Sequence, residues 1–310
     1  MNMIQQSRSA LTRSAAYASI TVAILLVTLK TWATWKTGST AMLGSLADSA
    51  LDLVASVVTL VGVWVAATPA DEDHRFGHGK AEALAAMVQV MLIAVSASGI
   101  AFRAVEKLLG SAQTQAAAEG IGVSVIAIAA TFALLAWQRV VIARTGSVAI
   151  KTDNVHYQSD LLLNLAVIAA LALDQYAGFG KADPLFGLGI AAWLAWGAWR
   201  AASEAIDHLM DKEWPDEKRD AFVDVLSHHP DIRGVHDLRT RTSGADDFVQ
   251  FHMAVDPHLT IVEVHNLMDE VEARLEKEFP GVEVLIHPDP EGLINETGVA
   301  AEEVLPDRVD

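Results

Sequence analysis

Cysteine is absent from the 310 residues, which excludes disulfides, thiol catalysis and every Cys-based zinc motif. Any metal site must therefore be built from histidine and carboxylate. Charge is scarce too: 20% of residues are charged against 52% hydrophobic, and the mean hydropathy is positive. Those proportions suit a membrane protein with a soluble part better than a purely soluble enzyme. Basic residues run short toward the end. Residues 1–209 hold 13 Lys/Arg against 14 Asp/Glu, whereas 210–310 hold 9 against 25. That break marks a domain boundary, and an acidic surface repels phosphates, which argues against nucleic acid as a partner. The N-terminal stretch "MNMIQQSRSALTRSAAYAS" lacks a convincing signal-peptide cleavage site, so the first hydrophobic segment reads as retained.

Long hydrophobic runs are what the chain does have. Six emerge, at about 15–35, 41–67, 83–102, 121–137, 147–173 and 184–202. The fifth is the weak one. Its uninterrupted part, 161–173, falls short of the roughly 20 residues a spanning helix needs. To cross a bilayer it must extend back through "NVHYQSD", taking His156 and Asp160 into or near the lipid. Six spans put both termini on one side, which would hold seven Lys/Arg against five on the other. The positive-inside rule then makes both termini cytoplasmic.

From about residue 210 the pattern is that of a small α/β domain, ending near 290. "PDEKRDAFVDVLSHHP" suits a helix, and "VHDLRTRTSG" and "DDFVQFHMAV" alternate like strands joined at Ser243-Gly244. "TIVEVHNLMDEVEARLEKEF" opens with a capping box, Thr260 and Glu263. Its apolar stripe is Val264, Leu267, Met268, Val271, Leu275 and Phe279. "GVEVLIHPDP" is a last strand, giving the order αββαβ. Residues 291–310 read as a disordered acidic tail.

Two intramembrane pairs carry the chemistry. His156 and Asp160 are four apart and share a helical face, as do Asp48 and Asp52 in the second segment. Two helices each offering such a pair can converge three carboxylates and one imidazole on a divalent transition metal, zinc above all. Coordination then offsets desolvation of charges that are otherwise expensive in lipid. The alternative is a water-filled crevice or headgroup-level polar groups without metal. Ser45 and Asn164 read as packing groups, and Gly187, Gly189 and the small residues at 96–99 as close-packing surfaces.

The loop "TPADEDHRFGHGKAEALAA", together with D-x-x-x-D, H-x-x-x-D, "GVHDLRTR", "FVQFHMAV" and "LIHPDP", resembles the cation diffusion facilitator family in its bacterial zinc and iron efflux branch. The resemblance covers about 11–290. It implies six transmembrane helices with a metallochaperone-like cytoplasmic domain, a homodimer in the bacterial inner membrane, and a transport site of Asp48, Asp52, His156 and Asp160. It also implies a loop site at Asp71, His74 and His78, where the bland alternative is a solvated polar loop. Glu72, Asp73 and Arg75 read as solvated loop charges.

In the soluble part, strand and helix periodicity turns His252, His265 and His287 away from the apolar faces, so they are not core residues. Left to themselves they read as ordinary surface residues. The resemblance implies a dimer-stabilising zinc site of His236, His252, His265, His287 and Asp289, and a salt bridge between Lys80 and Asp211. His208, His228, His229 and His258 match no role and read as surface residues.

The mechanism expected is proton-coupled export of divalent metal. Metal ligands must be deprotonated, so metal and protons compete for one site, and an imidazole is suited to that exchange near neutral pH. The manganese branch of the family this chain resembles usually has an asparagine in the membrane tetrad, so aspartate at both matched positions of the second helix implies Zn²⁺. The donor set by itself also admits Cd²⁺, Fe²⁺ and Mn²⁺, with Mn²⁺ or Fe²⁺ export the alternative within the same fold. A membrane-embedded metal hydrolase is disfavoured, because four protein ligands leave a tetrahedral metal no open position for water. A metal sensor that binds without transporting is separated from a transporter by a flux assay.

Overall fold

The computed structural model describes residues 3–37, 40–110, 121–177, 181–292 and 303–305. The chain divides into two compact units, one spanning Ser7–Ile206 and the other containing Asp207–Asp310.

The first unit is built from six long helices among the described residues: α1 (Met3–Thr37), α2 (Thr40–Ala66), α3 (Ala81–Leu109), α4 (Ile121–Thr145), α5 (Val148–Ala177) and α6 (Ala182–Leu209). The shortest, α4, has 25 residues. At 1.5 Å per residue each exceeds the roughly 30 Å hydrocarbon thickness of a bilayer. Stretches of α1 to α4 are both long and apolar enough to cross unaided: Ser7–Lys36, Ser45–Ala66, Ala81–Leu109 and Val125–Thr145. α5 is as long and carries Lys151, Asp153, His156 and Asp160 in its first half.

The bundle is inverted relative to a soluble protein. Leu51, Val61, Leu84, Phe102 and Phe132 are exposed, while alanines 15, 16, 23, 55, 86, 149 and 205 are almost fully buried. In lipid no hydrophobic force drives helices together, so small residues permit close van der Waals approach and polar side chains supply the glue. Gly62 is the tightest such approach. A Cβ there would lie 2.3 Å from the Cβ of Ala85, so α2 and α3 touch backbone to side chain. Gly197 packs likewise on Val155, bringing α6 against α5. Gly187 lies against Ala104 as a close-packing residue should, whereas a Cβ on Gly99 or Gly189 would meet nothing within 4 Å among the described residues.

In the second unit, α7 (Asp216–Ser227), β1 (Gly234–Ser243), β2 (Asp246–Val255), α8 (Ile261–Glu278) and β3 (Val282–Pro290) follow in the αββαβ order. β1 and β2 form an antiparallel hairpin turned at Gly244, whose φ of 62° lies in the left-handed region that glycine enters freely. β3 returns parallel to β2 after α8, as a crossover helix requires. The capping box forms as the sequence suggests: the Thr260 side chain accepts from the Glu263 amide while Glu263 accepts from the Thr260 amide. One face of the sheet supplies Val249, Phe251, Met253 and Ile286 to a core that also takes Phe222 and Leu226 from α7 and Leu267, Val271 and Leu275 from α8.

Two expectations change here. The tail is not wholly irregular, because Glu303–Leu305 forms a short strand, β4, paired antiparallel with β1 and giving the sheet order β3-β2-β1-β4. An unpaired β1 edge is a ready template for such a segment. The remainder of the tail after Gly292 lies outside the described residues. His229 is not a surface residue but 3% exposed. Its Nδ1 accepts the Asp231 amide at 3.3 Å, and its Nε2 lies 3.6 Å from a Glu270 carboxylate oxygen on α8.

Candidate metal centres

Three groups of metal-ligating side chains assemble among the described residues. The first lies inside the helical unit. His156 and Asp160 occupy successive turns of α5, and Asp52 faces them from α2. His156 Nε2 is 3.0 Å from Asp52 Oδ1, with the two residues 6% and 8% exposed. One ligating atom from each of Asp52, His156 and Asp160 lies within 4.8 Å of the other two. A tetrahedral ion with ligands at about 2.0–2.1 Å needs donors roughly 3.3 Å apart, so a small contraction would complete the set. Asp48 is not part of this group. It sits one turn earlier on α2 and is exposed, so three of the four expected ligands converge and the fourth stands off.

A second polar cluster escaped the sequence reading. Asp153, fully buried on α5, receives hydrogen bonds from Ser19 of α1 at 2.6 Å and Thr59 of α2 at 3.3 Å. Gln89 of α3 donates at 3.1 Å and Gln138 of α4 at 2.7 Å. Gln89 also donates to Thr59, and Gln138 to Ser19. Gln138 in turn accepts from Asn154, which accepts from Gln158. One carboxyl group thus draws donors from four other helices. The available signal was its place three residues before His156 and seven before Asp160, which continues their polar stripe. The partners on α1 to α4 gave none, since isolated Ser, Thr and Gln in apolar runs are common packing groups.

The loop centre joins α2 to α3. Asp71 Oδ1 accepts the backbone amides of Asp73 at 3.0 Å and His74 at 2.6 Å. His74 Nδ1 lies 3.2 Å from Asp71 Oδ1, and His78 Nε2 3.4 Å from its Oδ2. The two imidazoles lie 4.4 Å apart, centroid to centroid. The His74 amide, above all, holds the Asp71 carboxyl below its ordinary range, so it stays ionised as a ligand must. Glu72, Asp73 and Arg75 are exposed, as expected.

The third centre sits on the sheet face opposite the core. Register aligns His236 of β1 with His252 of β2, and His252 with His287 of β3. Asp289 is the hub, its Oδ2 lying 2.7 Å from His252 Nδ1 and 3.3 Å from His236 Nε2. Its Oδ1 is 3.4 Å from His287 Nε2. A bulge after His236, with Asp237 at φ 50°, also brings Asp237 to 3.8 Å from His252. His236, His252 and Asp289 meet the geometric requirement for one ion, and His287 flanks them. His265 does not join. It is 68% exposed on α8 and lies 3.7 Å from Asp269. The reason is topological: α8 covers the core face of the sheet, and the histidine row lies on the other.

Lys80 and Asp211 fall in different units. Lys80 precedes α3, and Asp211, at φ 55°, lies 3.7 Å from Arg241.

Two family models match the chain, one for a cation efflux transmembrane domain over residues 16–210 and one for a cation efflux protein cytoplasmic domain over 214–291. The chain belongs to the cation efflux family. It is a membrane transporter of that family and not an enzyme. Its relatives include the cation-efflux pump FieF of Cronobacter sakazakii, 43% identical over 89% of this chain and 92% of that one. FieF of Klebsiella pneumoniae is 41% identical over 94% and 97%. Among solved structures, one described as "Mode of Action of a Putative Zinc Transporter CzrB" is 36% identical over 26% of this chain and 99% of that one, with a TM-score of 0.25.

Proposed function

We propose that this protein exports divalent metal, Zn²⁺ foremost, from the cytoplasm in exchange for protons, through Asp52, His156 and Asp160 with Asp48 completing the site. The observation that carries the proposal is the convergence of Asp52, His156 and Asp160 between two helices of a membrane bundle. Uncoordinated carboxylates at that depth would be expensive, whereas a divalent ion or protons neutralise them. The name "cation-efflux pump" borne by relatives of nearly full length supports the same reading.

On loading, the Asp52–His156 contact opens and both side chains turn their donor atoms to the ion. Asp48 closes from the exposed side. Protons arriving from outside then compete for the same imidazole and carboxylates and release the metal, and rocking of the helices alternates access. Asp71, His74 and His78 form a loop site on the same reading. The acidic cytoplasmic domain gathers cations, binds zinc at His236, His252 and Asp289 with His287 beside them, and tightens a homodimer. His265 and the Lys80–Asp211 pair belong to the dimeric assembly in this proposal, whose setting is the bacterial inner membrane with both termini cytoplasmic.

The test is pH-jump flux in proteoliposomes with Zn²⁺, Cd²⁺, Fe²⁺ and Mn²⁺, comparing wild type with Asp52→Ala. Zinc flux that follows the proton gradient and vanishes in Asp52→Ala is expected. Equal flux in the variant refutes the site, and gradient-independent flux refutes the coupling.

A further inference from the structure

α1 carries a cation that the transport reading leaves unused. Lys30 lies within the apolar stretch Ser7–Lys36. A lysine in a membrane helix ordinarily snorkels its ammonium toward the headgroups. This one turns inward instead. Its Nζ donates to Ser49 Oγ at 2.6 Å and to the Ser45 carbonyl at 3.2 Å, both on α2. Ser49 is 1% exposed, follows Asp48 directly and precedes Asp52 by three residues. The ammonium is therefore tied to the segment that carries both α2 carboxylates. Asp52 of that segment in turn faces His156 and Asp160 of α5. The other polar groups near the centre include His156, the hydroxyl groups of the two helices and, three residues before His156, the Asp153 carboxyl within its own cage of donors.

We propose that Lys30 is a tethered counter-charge for the transport site, a deepening that rests on the function proposed above. With His156 neutral, the charges of Asp48, Asp52 and Asp160 added to that of one tethered ammonium sum to two negative charges, the complement of one divalent ion or of two protons. Lys30 touches no ligand atom of the site in this structure and is a positioning residue. Its field weakens the hold on metal, so that a site rich in carboxylate can still release what it binds. Without it the site carries an extra negative charge, binds metal more tightly and lets go more slowly.

The experiment is zinc transport by the full-length protein in proteoliposomes, with KM and kcat measured separately for wild type, Lys30→Gln, Lys30→Arg, Ser49→Ala and Asp52→Ala. In Lys30→Gln, KM falls on the order of tenfold and kcat falls with it, as removal of one nearby unit charge at intermediate dielectric implies. Lys30→Arg keeps the charge and restores both constants. A lysine that merely packs would give a raised or unchanged KM, and a structural role specific to its shape would leave Lys30→Arg as impaired as Lys30→Gln. Either result overturns the proposal. Should Lys30→Gln not fold, Ser49→Ala removes the tether while keeping the charge. It should lower KM by a smaller factor, and an unchanged KM there also overturns the proposal. Asp52→Ala separates the two readings. Wild-type transport in that variant sinks the site itself and Lys30 with it, whereas abolished transport beside an unaltered KM in Lys30→Gln sinks only the lysine.

Discussion

Replacing Gln138 by leucine tests whether the cage around Asp153 holds the helical unit together. The substitution conserves approximate size and apolar fit but removes three hydrogen bonds: to Asp153 at 2.7 Å, to Ser19 at 3.0 Å, and from Asn154 at 2.9 Å. Interhelical hydrogen bonds in membranes average about 0.6 kcal/mol and reach about 1.7 kcal/mol. A buried polar group left without its partner adds about 1–3 kcal/mol. Gln138 and Asp153 are both fully buried, so water cannot repair the loss. Together these give a destabilisation of about 3–5 kcal/mol. At about 2–4 °C per kcal/mol for a unit of this length, the melting temperature should fall by about 6–20 °C. Tryptophan fluorescence during thermal unfolding in detergent measures it. Asp153→Asn, which keeps the shape and half the acceptors, should lose less than Gln138→Leu. A Gln138→Leu protein as stable as wild type would show that the cage is incidental to the packing of the alanine-lined helices around it.

Asp48→Ala should impair zinc flux less than Asp52→Ala, because Asp48 stands outside the convergent group; equal loss in liposome assays would return Asp48 to the centre. Asp289→Ala should abolish zinc binding at the sheet face, measured by calorimetry on full-length protein already lacking Asp52, while His265→Ala should lower it little. Thr260→Ala should lose about 1 kcal/mol through its capping box, seen as a lower unfolding temperature of the cytoplasmic unit. The Thr260 amide and, after it, the Thr260 hydroxyl hold Glu263 below its ordinary range, so the part that the hydroxyl supplies is present at neutral pH and fades as the solution is acidified through the folded-state value. In Thr260→Ala the acid end of the stability profile should flatten accordingly.

The αββαβ unit was largely legible because its signals are local. The capping box, the Leu267–Val271–Leu275 stripe and the alternation around Phe251 each fix an element without long-range knowledge. The paired spacing of Asp48 with Asp52 and His156 with Asp160 was likewise readable, since i, i+4 alone puts each pair on one face. What spacing cannot give is the level along its axis at which one helix meets another, and that is what separates Asp52 from Asp48, one turn earlier on the same face. Asp153 was missed because its partners are spread from Ser19 to Gln138, a distance no sequence window spans. His265 was grouped with the sheet histidines through the family resemblance alone; periodicity reports that it is exposed, not that α8 carries it on the other side of the sheet from them. His229 was misplaced for the converse reason, since a polar residue after a helix end looks solvent-facing until α8 packs over it.

The seam at Gly62 bears on how the transporter can move. With Ala85 seated where a side chain of residue 62 would be, neither helix can slip lengthwise past the other without driving a bulkier neighbour into that notch. Asp52 rides on one of those two rods, so a stroke that carries it from one aqueous face toward the other must haul its companion along as a single plank. The gap that opens and shuts around the cargo is then between that pair and α5, which carries His156 and Asp160.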